Sequence, residues 1–188
     1  MDIVRLSRKL MQEQTGKNKS PAWLLTEIAV KKGEELSRRY IVDEKIVVTS
    51  LYLAHIVFSP EWQDNTQKNH PELSSNFAKP YLKKWKVSAF NQGMILNSIE
   101  AHHNKVPCQT KTAEVVKNAE CFKFVTVEGC SIYLHELGLR GINFHEAVER
   151  VIKKMKQKKS LITLKDCKKE AEKNCKDISK LFNSLEKM

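Results

Sequence analysis

Apolar residues return every three or four positions along almost the whole chain, and no stretch alternates in the two-residue rhythm of a half-buried strand. The pattern predicts an all-α fold. A short amphipathic helix is expected from Asp2 to about Gln14, followed by a loop from Gly16 to Ser20. Ser20-Pro21 then reads as an N-cap followed by proline at the first helical position, opening a helix that runs to about Tyr40. Its small residues Ala22, Thr26, Ala29 and Gly33 share one face and invite a close helical neighbour. Asp43 caps the next helix, which is expected to end at Phe58, before Pro60, with Val47, Leu51, Ala54, His55 and Phe58 on the inward stripe.

From Ser59 to Pro80 the sequence is polar and carries Pro60, Pro71 and Pro80, so it reads as a long loop, a candidate lid. Helical spacing resumes from Ser88 to His103, with Ile95, Ile99 and His102 on one face, and again from Thr112 to Val127, where Val116 and Glu120 lie one turn apart. A shorter helix ends near Gly138 and Gly141. Asn143 with Glu146 and Thr163 with Asp166 are capping-box-like starts for the last two helices. The final one, from Leu164 to about Lys187, is expected to bury Cys167, Ala171, Ile178, Leu181 and Phe182.

At 188 residues with 41% hydrophobic residues, the chain can bury one sizeable core. A single domain over residues 1–188 follows, its core at about 20–159 and residues 160–188 packed on it. No apolar run approaches the roughly 20 residues of a membrane span, and no signal-peptide core follows Met1. A cytoplasmic protein with no membrane partner is therefore expected. Five cysteines without a CxxC pair argue against a zinc ribbon or a disulfide framework.

The net charge of +11 attracts phosphates or nucleic acid. Its densest run, Lys153-Lys154-Met155-Lys156-Gln157-Lys158-Lys159, reads first as lysines decorating a solvated helix end, with a phosphate or nucleic-acid contact as the alternative.

Chemistry concentrates at His55, His102, His103 and Glu120, each set against an apolar helical face. A buried imidazole or carboxylate needs a partner, a metal or a role. Without a metal, His55 is expected to bond a backbone carbonyl or Glu120. His102 and His103, about 100° apart on a helix, are not both expected to point inward. His70, His135 and His145 read as ordinary, and Trp23, Trp62 and Trp85 as packing anchors, with Trp62 also a candidate lid contact.

The order of these groups resembles the HD superfamily of metal-dependent phosphohydrolases over roughly Pro21 to Lys159. Tyr52-Leu53-Ala54-His55-Ile56 is similar to the segment bearing the family's His-Asp pair. Ile99-Glu100-Ala101-His102-His103 resembles its intermediate histidine turn, and Asn118-Ala119-Glu120 the turn with the final carboxylate. The chain departs from the pattern where the first His falls at Thr26, where Ile56 replaces the Asp of the pair, and where Glu120 replaces the final Asp.

The resemblance implies an HD-domain-like helical bundle and a divalent metal (Mn, Ni, Co, Fe or Zn) on His55, His102 and Glu120. It implies Glu120, His103 and Lys105 as catalytic residues, and Lys105 or Arg140 as cations for the phosphoryl oxygens. Two functions follow as expectations. One is a phosphohydrolase acting on a nucleotide or another phosphate ester. The other is a catalytically silent scaffold, with the metal absent, that binds a nucleotide, an RNA or a protein partner in the same pocket.

Overall fold

The computed structural model describes residues 1–18, 23–57, 64–103 and 106–186, and every regular element among them is helical. In chain order these are α1 (Ile3–Asn18), α2 (Trp23–Tyr40), α3 (Glu44–Leu53), α4 (Asp64–Lys84), α5 (Ala89–Ala101) and α6 (Lys111–Phe122). A 3-10 turn (Lys123–Val125), α7 (Val127–Leu139), α8 (Phe144–Leu161) and α9 (Lys165–Glu186) complete them. None of the described helices is long and apolar enough to cross a membrane.

Two helices form the centre. In α3 every residue from Ile46 to Leu53 is buried, and in α6 only Lys111 and Glu114 escape. A helix buried all round must be apolar all round or satisfy its polar groups internally. Here Ser50 donates back to the Ile46 carbonyl at 2.8 Å, as Ser37 does to Gly33 at 2.6 Å in α2. α1, α2 and α5 pack around α3, and α2, α5 and α8 around α6. The small face of α2 allows this: a Cβ at Gly33 would lie 2.4 Å from Leu51 Cδ1 and 3.1 Å from Val47 Cγ1.

Helix ends follow local chemistry. Asp43 caps α3 through the amides of Lys45 and Ile46, Thr110 caps α6, Thr126 caps α7, and Asn143 caps α8. α7 closes on Gly141 at φ 77°, with Gly141 N–H on the Gly138 carbonyl and Ile142 N–H on that of Leu137. Ile41 and Lys86 hold the equivalent left-handed position after α2 and α4, at φ 53° and 55°, where a side chain is disfavoured.

α9 is fastened by one buried amide. Asn118 of α6 donates to the Glu114 carbonyl and the Thr163 hydroxyl, and its Oδ1 accepts the N–H groups of Thr163 and Leu164. Thr163, read from sequence as half of a capping box, donates its hydroxyl to Glu114 instead. Farther along, Lys32 of α2 is buried against Glu35 and reaches Glu170 of α9 at 2.5 Å.

Several expectations are corrected. Gly16 belongs to α1, which continues to Asn18. α3 stops at Leu53 rather than Phe58, which lies outside the described residues together with Ser20, Pro21 and Trp62. Leu181 is 42% exposed, while Cys175 takes its place on the buried stripe with Cys167, Ala171, Ile178 and Phe182. The largest correction is the polar segment read as a loop: from Asp64 it is helix α4, with Pro71 and Pro80 inside it. Prolines weaken a helix, but Ser74, Ala78 and Leu82 are fully buried at helical spacing, and α4 packs on α5. Tertiary burial outweighs the local cost.

Candidate metal centre

Four imidazoles meet where α3, α4 and α5 converge. His55 stands in the turn after α3, His70 on α4, His102 at the C-cap of α5, and His103 one residue beyond. One ring nitrogen from each lies within 4.8 Å of the others, a cluster that could hold a metal ion. His70 Nε2 and His102 Nε2 are 3.1 Å apart. A cation about 2.0–2.1 Å from each nitrogen separates neighbouring ligands by roughly 2.9–3.4 Å, so this spacing suits two ligands of one ion. The His55 and His70 rings stack at 4.7 Å, and His102 and His103 meet edge to face at 4.4 Å.

Two readings change here. His70, read as ordinary, is buried within the cluster. His102 and His103 both face it, because the helix ends at Ala101 and the helical angle between neighbours no longer applies. Lys105 lies outside the described residues. Arg140 lies 3.9 Å from Glu136, and His135 shows no link to the cluster.

Glu120 stands behind His55. Its Oε2 lies 2.8 Å from His55 Nε2 and 2.6 Å from the buried Lys123 ammonium. Burial pushes the carboxyl upward, yet Lys123 and His55 more than reverse this and hold it well below the usual carboxylate range. An ionised carboxylate only accepts, so His55 carries its proton on Nε2 and its lone pair on Nδ1. His102 donates from Nδ1 to the Ile99 carbonyl at 2.5 Å, which leaves its lone pair on Nε2, facing His70. Two tautomers are thereby fixed in the form a metal ligand requires. Glu120 Oε1 is buried with no hydrogen-bond partner among the described residues, a position that favours a nearby cation or donor. Donor chemistry and orphaned oxygen together fit a divalent ion.

The lysine run on α8 divides. Lys153 and Lys156 face solvent, while Lys158 is 3% exposed and its Nζ lies 3.4 Å from His103 Nε2. Lys154 turns inward over Phe124. Burial and the neighbouring Lys158 and Lys123 lower its pKa to about 8. Sequence reasoning named Lys154 and Lys158 only as part of a basic run and did not single out Lys123. The signal was present, since Lys158 continues the apolar stripe of Val148, Val151 and Met155.

Acid should dismantle this centre. Burial, assisted by Lys123, lowers the His55 pKa from 6.5 to about 4 against the pull of Glu120, and burial depresses His102 and His103 too. Each depressed histidine stabilises the fold fully above its unfolded value of 6.5; the His55 contribution is lost as pH falls from there through about 4, and those of His102 and His103 begin to be lost at the same point. Glu120, also depressed, adds its loss only below the ordinary carboxylate range. The melting temperature of metal-stripped protein should therefore decline steadily below pH 6.5. A flat profile from pH 7 to 4 would contradict the assignment of neutral, buried imidazoles.

No known family, curated protein or solved structure matches the chain.

Proposed function

We propose that the chain is a phosphohydrolase-like protein that binds a divalent transition metal through His55, His70, His102 and His103 and acts there on a phosphate ester such as a nucleotide. The observation that carries this reading is the convergence of four ring nitrogens within 4.8 Å of one another. An all-imidazole donor set suits nickel, zinc, cobalt or iron better than manganese. When bound, such an ion lowers the pKa of a coordinated water and polarises a phosphoryl oxygen.

The chain's own residues have distinct tasks. Glu120 orients His55 and keeps its proton on Nε2, while the Ile99 carbonyl does the same for His102 through Nδ1. Lys158 places positive charge beside His103. The resemblance to the HD superfamily supports the same chemistry, with a shifted ligand set: His70 joins, and no carboxylate is among the four.

One observation favours binding without turnover. Ile56, at the position of the family's paired Asp, is fully buried in the apolar core and offers no base for water. The two outcomes separate in one experiment. Metal-stripped full-length protein is titrated with nickel, zinc, cobalt and manganese by calorimetry, then assayed for phosphate release from nucleotides and simple esters. One equivalent of metal should bind, His70→Ala should abolish stoichiometric binding, and Glu120→Gln should weaken it about 10–100-fold. Metal-dependent phosphate release makes the protein a hydrolase, and binding without release makes it a scaffold. Absence of metal binding, or binding indifferent to His70→Ala, overturns the proposal.

A further inference from the structure

Three ammonium groups crowd one aromatic ring beside the histidines. Lys123 Nζ and Lys154 Nζ each lie 5.4 Å from the centroid of Phe124, and Lys158 Nζ lies 5.9 Å from it. Lys123 and Lys158 are 2% and 3% exposed, and Lys154 is half-buried. Buried charges are ordinarily paired. The carboxylate in contact with this group is Glu120, already engaged by Lys123 and His55. Among the described residues, Lys154 meets the ring face, and Lys158 meets the ring and the His103 imidazole, with no carboxylate in salt-bridge contact with either. The cluster therefore holds more positive than negative charge among the described residues, and an imidazole supplies no negative charge to balance it.

The geometry points to an anion site: Lys123, Lys154 and Lys158, with His103 at its edge, take a terminal phosphate dianion, so the ligand is a phosphomonoester or inorganic phosphate rather than a diester. This narrows the phosphate-ester reading above and rests on it for the metal's part in any reaction, but the anion site itself requires no metal. Two or three ammonium donors match a doubly charged group with three terminal oxygens, while a diester offers one charge and two such oxygens. His55, His103 and Lys154 are the partly exposed members, so the ligand enters on their side.

The test is calorimetry and thermal shift with inorganic phosphate, phenyl phosphate and diphenyl phosphate on full-length protein kept metal-free with chelator. Inorganic phosphate and phenyl phosphate should bind one to one and raise the melting temperature, with diphenyl phosphate at least about tenfold weaker. Lys154→Met and Lys158→Met should each weaken phosphate binding about tenfold or more, while the exposed control Lys153→Met leaves it unchanged. Lys154→Met keeps the aliphatic stem and removes like-charge repulsion, so its melting temperature without ligand should hold or rise. Loss of binding in that variant is then not a folding defect. Absent phosphate binding, equal binding of the diester, indifference to Lys154→Met, or equally tight binding of an oligonucleotide without a terminal phosphate each overturns the site. Phosphate binding by a protein that takes up no metal leaves the anion site standing and removes the metal centre. Metal binding without phosphate binding does the reverse.

Discussion

Glu120→Gln should cost about 3–5 kcal/mol of folding stability, because it leaves the buried Lys123 ammonium facing an uncharged amide. For a chain of this length that loss lowers the melting temperature by roughly 6–20 °C. The carboxylate is 1% exposed and Lys123 only 2%, so water cannot replace the missing partner without opening the core. Adding Lys123→Met to Glu120→Gln should restore a large part of the loss, since it removes the stranded charge. The coupling between the two sites should be about 1–3 kcal/mol by a double-mutant cycle in denaturant. A single-variant loss under about 1 kcal/mol, the size found for exposed pairs, would mean that the ion pair is solvated and the pocket open.

Gly129→Ala should be nearly as damaging, for a reason of shape. A Cβ there would lie 1.6 Å from the Lys123 carbonyl oxygen, 2.8 Å from its carbon and 2.9 Å from Thr126 Oγ1. Two of these atoms are backbone, and the third is held as the cap of α7 by the Gly129 N–H itself. No flexible side-chain end can yield, so the 3-10 turn that aims Lys123 must move. We expect a loss of about 3 kcal/mol or more, at the upper end of overpacking costs. Gly93→Ala is the control: nothing lies within 4 Å of its Cβ, and the helix interior of α5 should gain about 0.5–1 kcal/mol. Opposite signs for the same substitution, measured by chemical denaturation, would separate packing from helix propensity. Equal signs would contradict the close approach at Gly129.

Much of this arrangement was legible from residue spacing. The caps at Asp43 and Asn143, the small face of α2 and the meeting of His55 with Glu120 all follow from helical periodicity. What escaped has definite physical causes. α4 hides because two prolines and a polar composition argue for a loop, and because Ser74, Ser75 and Ala78 on its buried side are too small or too polar to announce a core before Leu82. With α4 went His70. His103 escaped because helical angles were extended past the end of α5. Lys154 and Lys158 escaped because a lysine-rich run looks solvated, although they lie three positions after the buried Val151 and Met155, at helical spacing on the same side.

The fastening of α9 bears on how the polypeptide matures at the ribosome. Lys32 emerges early, yet Glu170, one of its two anionic partners, lies 138 residues later, and Asn118 receives two of its donors only when Thr163 and Leu164 have been made. At translation rates of about 5–20 residues per second, that interval lasts roughly 7–28 s. The nascent imidazoles therefore exist as a loose set well before the lysines and α9 close over them, and the cradle is completed only once residues 163–170 have been made.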